Sequence, residues 1–272
     1  MSTFTTTGIT TGRAKADEFV TFCEGVRVLT QIDLSQYKRG QMERRVRSFA
    51  ERRGASSLTE YMTMLKASKD EVDEFLDRVT INVSQLWRNP EQWALLGERV
   101  IPELAAATGR VRCWSAGSSY GAEAYTLAAT LRAVAPSARS EVLGTDIDKR
   151  MVAKAREGFF TDEDARSAPR HQLEKWFEKT AGGYEAKREL KAMTRFEIGD
   201  LLRIRPKKAA FDLVLCRNTV IYFNEPVRDA LHERLAESLR PGGYFLVGST
   251  ERVSDPAAMG LEPAHPFTYR KI

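Results

Sequence analysis

Four short segments in the second half of the chain carry residues whose types and spacing could bind a ligand. They are residues 111–121, 143–148, 211–218 and 241–247. Each is predicted to form a β-strand or turn at the carboxyl edge of a parallel sheet, where nucleotide-like ligands bind in such folds. The sequence therefore predicts a ligand crevice at that edge.

The first segment predicts a strand, a glycine loop and a helix in succession. Apolar residues after the loop recur with the spacing of an amphipathic helix, at Leu127, Leu131 and Val134. Gly117 and Gly121 would let the backbone approach a ligand closely, with the amides of the new helix pointing at it. Asp146, at the tip of the next predicted strand, is placed to accept hydrogen bonds from both hydroxyls of a ribose. We therefore expect a ligand that contains a ribose.

The sequence of the glycine loop bears on the choice between a dinucleotide and S-adenosylmethionine. Residues 117–121 read Gly-Ser-Ser-Tyr-Gly, which lacks the G-x-G-x-x-G spacing that holds a pyrophosphate. A hydride-transfer enzyme is therefore disfavoured. Taken alone, such a loop could equally be a tight structural turn, so the prediction depends on the four segments together.

From about residue 37 onward the chain resembles the chemotaxis receptor methyltransferases, the CheR family. The matching motifs are T-I-N-V-S-Q-L-W-R at residues 80–88, W-S-A-G at 114–117 with S-Y-G-A-E-A-Y at 119–125, T-D-I-D at 145–148, D-L-L at 200–202, and C-R-N at 216–218 followed by I-Y-F at 221–223. The resemblance implies an α/β fold with a Rossmann-like S-adenosylmethionine-dependent methyltransferase sheet, a small N-terminal helical domain and an inserted antiparallel β-subdomain. It also implies transfer of the cofactor's methyl group to glutamate side chains on the cytoplasmic helices of chemoreceptors, giving methyl esters and S-adenosylhomocysteine.

The resemblance assigns roles to residues of this chain. The implied cofactor contacts are Asn82, Ser84, Arg88, Gly117, Glu123, Asp146, Asp200, Leu201, Arg217 and Asn218. A guanidinium such as that of Arg88 suits the methionine carboxylate because it can bind it in a bidentate fashion, although an inter-domain salt bridge is the alternative. Asp200 and Leu201 would meet the adenine. The candidate catalytic residues are Tyr222, Asn218 and Arg88. Tyr222, which we expect at a strand end, would position the acceptor through its hydroxyl unless it is a core residue.

One position departs from the family pattern. The family reads G-E-E-P-Y after the loop, whereas this chain reads G-A-E-A-Y at residues 121–125. The first of these glutamates is expected to hold the ammonium of the cofactor, and here that position is Ala122. Losing such a contact would cost about 1.5–3 kcal/mol of binding free energy unless Glu123 turns inward or water fills the gap.

The chemistry implied is an in-line displacement at a sulfonium methyl group by a carboxylate oxygen. A glutamate with a pKa of about 4.3 is already ionised at neutral pH, so no general base is required. Catalysis then depends on aligning oxygen and methyl carbon at about 3 Å in a site that excludes water.

A basic helix is predicted near the N-terminus. Residues 37–53 contain seven Lys or Arg and two acidic residues, an excess of five that equals the net charge of the whole chain. Apolar residues fall on one face, at Met42, Val46, Phe49 and Ala50, while Arg44, Arg45 and Arg47 point away from it. Such a face suits an acidic partner, and the resemblance favours chemoreceptor helices. The alternatives are a solvated helix face or nucleic acid, and the latter is disfavoured because interleaved aromatics are missing.

Composition bounds the remaining predictions. With 42% apolar residues, no run near the about 20 needed to span a membrane and no signal-peptide pattern, we expect a cytoplasmic protein without membrane insertion. Cys23, Cys113 and Cys216 fit neither a disulfide framework nor a zinc site, so no metal is implied. The predicted domains are a disordered tail at 1–12, a helical domain and linker at 13–90, and a methyltransferase domain at 91–272.

The β-subdomain is predicted at about residues 159–196. A helix is expected at 169–178 and a hairpin turn at Gly182 and Gly183, between short strands that end near Met193 and Phe196. The hairpin is short, so we predict weak or absent binding of a receptor tether peptide, which some family members dock here. A helix at 226–239, a strand at 244–247 and a last strand near 267–269 complete the prediction.

Three function classes stay open on the sequence. The first is receptor glutamate methylation. The second is a methyltransferase of the same fold that acts on another protein or a small molecule. The third, motivated by Ala122, is a cofactor-binding module with weakened or lost turnover.

Overall fold

The computed structural model describes residues 17–79 and 84–272. The chain divides into two compact units, with the division between residues 80 and 81. None of the helices in the described residues combines the length and apolarity required to span a bilayer.

The first unit is a small bundle of helices. They are α1 (Glu18–Thr30), α2 (Arg39–Arg52), α3 (Leu58–Ala67) and α4 (Lys69–Val79), with a 3-10 turn at Leu34–Gln36. Aromatic rings fill its centre, and Tyr61 lies within 6.1 Å of the rings of Phe22, Phe49 and Phe75. The apolar face predicted for α2 is confirmed, since its buried residues are Met42, Val46, Phe49 and Ala50.

The acidic segment at residues 60–78 carries apolar residues whose spacing suggests one packed helix, but the structure has two, α3 and α4. Two helices meet at Ser68, whose backbone is extended (φ −139°, ψ 121°). The Ser68 hydroxyl accepts a hydrogen bond from the Glu71 N–H at 3.2 Å, so it caps the start of α4. The break lets Tyr61 and Phe75 pack against each other from two helices.

The second unit is built on parallel strands with helices between them. Its helices are α5 (Pro90–Leu95), α6 (Ile101–Thr108), α7 (Ala122–Val134), α8 (Lys149–Glu157), α9 (Arg170–Trp176), α10 (Arg188–Lys191) and α11 (Glu225–Ser238). Its strands are β1 (Arg110–Ala116), β2 (Arg139–Asp146), β3 (Phe159–Thr161), β4 (Phe177–Thr180), β5 (Gly183–Ala186), β6 (Thr194–Ile198), β7 (Phe211–Cys216), β8 (Leu239–Val247), β9 (Leu261–His265) and β10 (Thr268–Lys271). A π-helical turn, Leu96–Val100, joins α5 to α6.

Within residues 84–272, seven of these strands form one sheet in the order β6-β2-β1-β7-β8-β10-β9. The first five strands of this order are parallel, and β10 runs antiparallel to both β8 and β9. The carboxyl ends of β2, β1, β7 and β8 therefore lie at one edge of the sheet. This is the edge at which the sequence predicts a ligand crevice.

Helix α7 packs almost entirely inside the unit. Leu127 and Leu131 are buried as the apolar spacing predicts, whereas Val134 is 39% exposed. The buried hydroxyl of Thr126 donates to the Ala122 carbonyl at 2.8 Å, one turn earlier. Because such polar residues are bonded within the helix, α7 can pack closely against the sheet. Close packing prevents the helix from shifting and so holds the loop before it in place.

The inserted β-subdomain is a three-stranded antiparallel sheet in the order β3-β5-β4. The predicted turn is present between β4 and β5, but the strand limits were wrong. The second strand ends at Ala186, and β6 pairs in parallel with β2 at the edge of the large sheet. Phe196 explains this, because it is buried and lies tilted against Tyr125 at 5.5 Å. Helix α9 also ends earlier than expected, at Trp176.

The C-terminal elements agree with the prediction in type. Helix α11 and the antiparallel strand β10 lie within a residue or two of the predicted limits. Strand β8 begins earlier than expected, at Leu239, and the register of its pairing with β7 shifts between Phe211 and Leu213. Strand β9 was not predicted.

Candidate functional site

The loops that follow β1 and β7 pack directly against each other at the carboxyl edge of the sheet. Gly117 has a φ of +79°, and a Cβ added to it would lie 2.7 Å from the Thr219 hydroxyl oxygen. Only glycine fits both the dihedral angle and the space. The two loops therefore form one continuous floor beside the first turn of α7.

Asp146 lies at the end of β2 and faces this floor. Its Oδ2 accepts a hydrogen bond from the Ser119 N–H at 2.8 Å, and its Oδ1 accepts one from the Asp148 N–H at 2.9 Å. Burial raises the pKa of Asp146, while these N–H groups lower it. A carboxylate has about four lone-pair sites, so each oxygen can accept another donor. This carboxylate fits the two hydroxyls of a ribose.

Arg217 is the most densely bonded side chain of the site. Its Nε donates to Gln92 Oε1 at 2.9 Å, and its Nη1 donates to Glu123 Oε2 at 3.1 Å. Its Nη2 donates to the Arg88 carbonyl at 2.8 Å and to Asn89 Oδ1 at 3.2 Å. The side chain is 2% exposed, so this charge is buried and satisfied by the protein itself.

The Glu123 side chain points inward, which the sequence left open, but both of its carboxylate oxygens already accept hydrogen bonds from the protein. One carboxylate oxygen accepts from Arg217 and the other from the Ser115 hydroxyl at 2.7 Å. Ala122, where the family has its first glutamate, is fully buried. Glu123 therefore neutralises the buried charge of Arg217.

The backbone around the site adopts unusual dihedral angles. In residues 17–79 and 84–272, seven non-glycine residues have positive φ, and Trp87 (54°), Asn89 (58°), Ser119 (49°) and Asn218 (57°) lie in the site segments. Such angles are unfavourable for most residues and persist only where surrounding contacts impose them. Strain of this kind is common at ligand sites, which agrees with a functional role for these loops.

Tyr120 ties the glycine loop to two other segments. Its hydroxyl contacts the Ser84 carbonyl and donates to Asp164 Oδ1 at 2.8 Å. Asp164 lies in the β-subdomain, where its Oδ2 accepts from the Thr161 N–H and hydroxyl at 2.8 Å each. The loop, the segment after residue 83 and the β-subdomain are therefore held together at one hydroxyl. This role of Tyr120 is not evident from the sequence.

Asn218 and Tyr222 follow β7. The Asn218 N–H donates to Glu251 Oε2 at 2.9 Å, and Tyr222 lies in a 3-10 turn, Val220–Tyr222, rather than at the strand end that was expected. Tyr222 is half-buried. No sequence motif marks Glu251, which lies beyond the last of the four predicted segments, 241–247. Its position four residues after a parallel strand is the signal that could have identified it.

The remaining predicted contacts are more dispersed. Asp200 Oδ1 accepts from the Leu202 N–H at 2.9 Å and its Oδ2 pairs with Arg203 Nε at 3.3 Å, while Leu201 is buried. Both residues lie just beyond the end of β6. Ser84 and Arg88 are half-buried in the segment before α5. Asn82 lies outside the described residues.

Two family models match the chain, one for each unit. Residues 82–264 match the model described as "CheR methyltransferase, SAM binding domain", and residues 17–80 match "CheR methyltransferase, all-alpha domain". The chain belongs to the CheR methyltransferase family. This confirms the resemblance, and the enzyme is a methyltransferase that uses S-adenosylmethionine.

Relatives in the CheR family align over most of the chain. A chemotaxis protein methyltransferase of Listeria innocua is 32% identical over 241 residues, which cover 88% of this chain and 92% of that protein. A chemotaxis protein methyltransferase of Borreliella burgdorferi is 29% identical, covering 88% of this chain and 89% of its own length. One of Escherichia coli is 28% identical, covering 82% and 80% respectively. The similarity thus extends through both units.

Proposed function

We propose that this CheR-family enzyme methylates glutamate side chains on the cytoplasmic helices of chemoreceptors, forming methyl esters. The observation that carries the proposal is the agreement of both units with the two family models, together with relatives named chemotaxis protein methyltransferases over 88% of the chain. The described site is compatible with this chemistry, because an ionised acceptor carboxylate needs positioning and no general base.

The cofactor-binding roles form part of the proposal. Asp146 accepts hydrogen bonds from the ribose, for which its lone pairs and its place at the strand end are suited. Asp200 and Leu201 meet the adenine. Gly117 leaves room for the methionine portion, and the remaining contacts come from Asn82, Ser84, Arg88, Arg217 and Asn218. Glu123 acts indirectly, by keeping the Arg217 guanidinium in place.

The catalytic roles follow from what the displacement demands. Bound S-adenosylmethionine supplies a methyl group activated by a positive sulfur. Tyr222 donates its hydroxyl to the acceptor carboxylate, while Asn218 and Arg88 line the approach and fix the orientation of the reactants. The nearby buried residues exclude water, which removes the hydration shell of the acceptor carboxylate and strengthens the interactions that orient it.

We propose that the receptor contact lies on α2, where some of the predicted basic side chains are bonded within the first unit. Arg47 pairs with Glu43 Oε1 at 2.8 Å and Glu18 Oε2 at 3.0 Å, and Arg45 donates to the Val79 carbonyl at 3.2 Å. Arg44 is exposed. We therefore assign Arg44 the main electrostatic role toward acidic receptor helices, with Arg45 and Arg47 contributing less.

The test combines cofactor titration with methyl transfer. The full chain is titrated with S-adenosylmethionine and S-adenosylhomocysteine by calorimetry, and then incubated with methyl-labelled cofactor and a receptor cytoplasmic fragment. Label that mild base releases as methanol supports glutamate methylation. Transfer to another acceptor only would favour the second function class. Cofactor binding without any transfer would favour a binding module, for which Ala122 and the occupied Glu123 are the motivating observations.

A further inference from the structure

Glu251 joins the ends of two neighbouring strands at the cofactor edge. Its side chain lies after β8, and the residue is 4% exposed. Oε2 accepts hydrogen bonds from the Gly248 N–H at 2.6 Å and from the Asn218 N–H at 2.9 Å. Burial raises the pKa of this carboxyl group, whereas the nearby backbone N–H groups of Asn218, Gly248, Val220 and Ile221 lower it. Oε2 thus accepts from two backbone donors, whereas Oε1 is buried and has no hydrogen-bond partner among the described residues.

One of these donors, Asn218, and the nearby N–H groups of Val220 and Ile221 belong to the loop that carries the proposed catalytic side chains. Asn218 has a left-handed backbone (φ 57°), and the 3-10 turn Val220–Tyr222 follows immediately. The first N–H groups of a helical turn have no partner within the turn. Glu251 accepts from the Asn218 N–H and places its carboxylate beside the N–H groups of Val220 and Ile221, and so it supports both the unusual dihedral angle of Asn218 and the direction of the turn that ends in Tyr222.

The space around Glu251 allows this contact and little else. A Cβ added at Gly248 would lie 2.5 Å from Glu251 Oε2 and 3.0 Å from the Asn218 nitrogen. Any larger residue at position 248 would push the carboxylate away from the loop. The close approach of β8 to the loop after β7 therefore depends on the pair of Gly248 and Glu251.

Arg217, one residue before this loop, is held by other groups. Its guanidinium bonds to Gln92, Glu123 and the Arg88 carbonyl, and none of these bonds involves Glu251. Removal of the Glu251 carboxylate should therefore release Asn218 and Tyr222 while leaving Arg217 in place. This separates the positioning of the acceptor from most of the proposed cofactor contacts, of which only that of Asn218 lies on the released loop.

We propose that Glu251 is a positioning residue for the methyl acceptor, acting through the backbone of Asn218 and the turn that ends in Tyr222. The inference rests on the proposed function, since the acceptor is the carboxylate of a receptor glutamate. It assigns to Glu251 an effect on turnover and acceptor affinity that is separate from cofactor affinity.

The experiment compares the full-length wild type with Glu251→Ala, Glu251→Gln and, as a matched control, Glu262→Gln, which alters an exposed glutamate on β9. For each protein, kcat and KM are measured with a receptor cytoplasmic fragment, and Kd for S-adenosylhomocysteine is measured by calorimetry. We expect Glu251→Ala to lower kcat by about 10- to 100-fold, since a misplacement near 1 Å can cost about 100-fold. Its Kd should rise much less than kcat falls, by about fivefold at most, because one proposed hydrogen bond is lost at Asn218 while Arg217 keeps its partners.

Glu251→Gln keeps an acceptor oxygen and should restore part of the loss, whereas Glu262→Gln should match the wild type. Unchanged kcat in Glu251→Ala, or a parallel loss of turnover and of S-adenosylhomocysteine binding in both Glu251 variants, overturns the inference while the proposed function stands. If Glu251→Ala fails to fold, wild-type kcat in Glu251→Gln overturns it. A wild type that binds the cofactor but methylates no receptor fragment overturns the proposed function and the inference with it.

Discussion

Glu123 and Arg217 form an ion pair of 3.1 Å in the interior of the second unit, with side-chain exposures of 11% and 2%. Glu123→Ala would leave the guanidinium buried and without its anion, which typically costs about 3–5 kcal/mol. We expect a loss of this size in the free energy of unfolding, measured in urea, together with weaker binding of S-adenosylhomocysteine. The exposed pair Lys179 and Asp162 is the control: Asp162→Asn should change stability by less than about 1 kcal/mol. Equal effects of the two substitutions would contradict a structural role for the buried pair.

Asp146 should make cofactor affinity depend on pH. Burial raises its pKa above that of an exposed aspartate, so the acceptor for the ribose is lost at a higher pH than usual. We expect the Kd of S-adenosylhomocysteine to rise as the pH falls from neutral toward 5, and Asp146→Asn to bind weakly with little dependence on pH. Calorimetry across this range is the measurement.

The sign of the stability change separates this effect from unfolding. A raised pKa in the folded state means that protonation of Asp146 favours the fold as the pH falls through that pKa. Loss of affinity should therefore occur without loss of stability from this group. A variant Asp146→Asn with the same pH dependence as the wild type would assign the titration to another residue.

Tyr222→Phe removes only a hydroxyl from the 3-10 turn. If that hydroxyl positions the acceptor, kcat should fall by about tenfold or more, while the Kd for S-adenosylhomocysteine changes little. Single-turnover methylation of a receptor fragment measures the step. Tyr184→Phe in the β-subdomain serves as the control. Turnover unchanged from the wild type would remove Tyr222 from the mechanism.

Arg44→Glu tests the proposed receptor contact on α2. Reversal of an exposed charge should raise KM for an acidic receptor fragment several-fold and leave kcat nearly unchanged, because charge complementarity acts mainly on encounter. The difference should shrink at high salt. Arg195→Glu alters the net charge equally at a 74% exposed side chain of the other unit. The same rise in KM for both variants would argue for a general charge effect and against a contact at α2.

The β-subdomain gives a prediction about receptor tethers. Strands β4 and β5 contain four residues each, so the hairpin is short and offers little edge for an added peptide strand. We expect no measurable heat when a receptor C-terminal tether peptide is titrated into the full chain. Saturable binding would show that the short hairpin suffices.

Local patterns predicted the elements that position the site. The periodic spacing of apolar residues along the chain predicted three features that the structure contains. They are the apolar face of α2, the buried strand β7, and the strand, loop and helix around Gly117. Ser68 shows a limit of such patterns. The sequence does not distinguish a serine that caps a helix at a break from a serine inside a longer helix. Phe196 shows another, because alternation within a strand does not reveal which sheet the strand joins.

The contacts that complete the site lie beyond the reach of such patterns. Arg217 meets Glu123 and Gln92 from 94 and 125 residues away, and Tyr120 meets Asp164 across 44. These pairings depend on which strands become neighbours, so the sequence could identify the residues by type but could not assign partners. The occupation of Glu123 by Arg217 is the clearest case, since the sequence left its direction open.

The place of β10 in the large sheet imposes an order on folding during synthesis. In the sheet, β10 lies between β8 and β9, although it follows both in the chain. Until residues 268–271 have emerged from the ribosome, β8 can therefore pair only with β7, and β9 has no neighbour in the sheet. Until then the growing chain exposes the free edge of β8, and unpaired edges of this kind invite association with other chains.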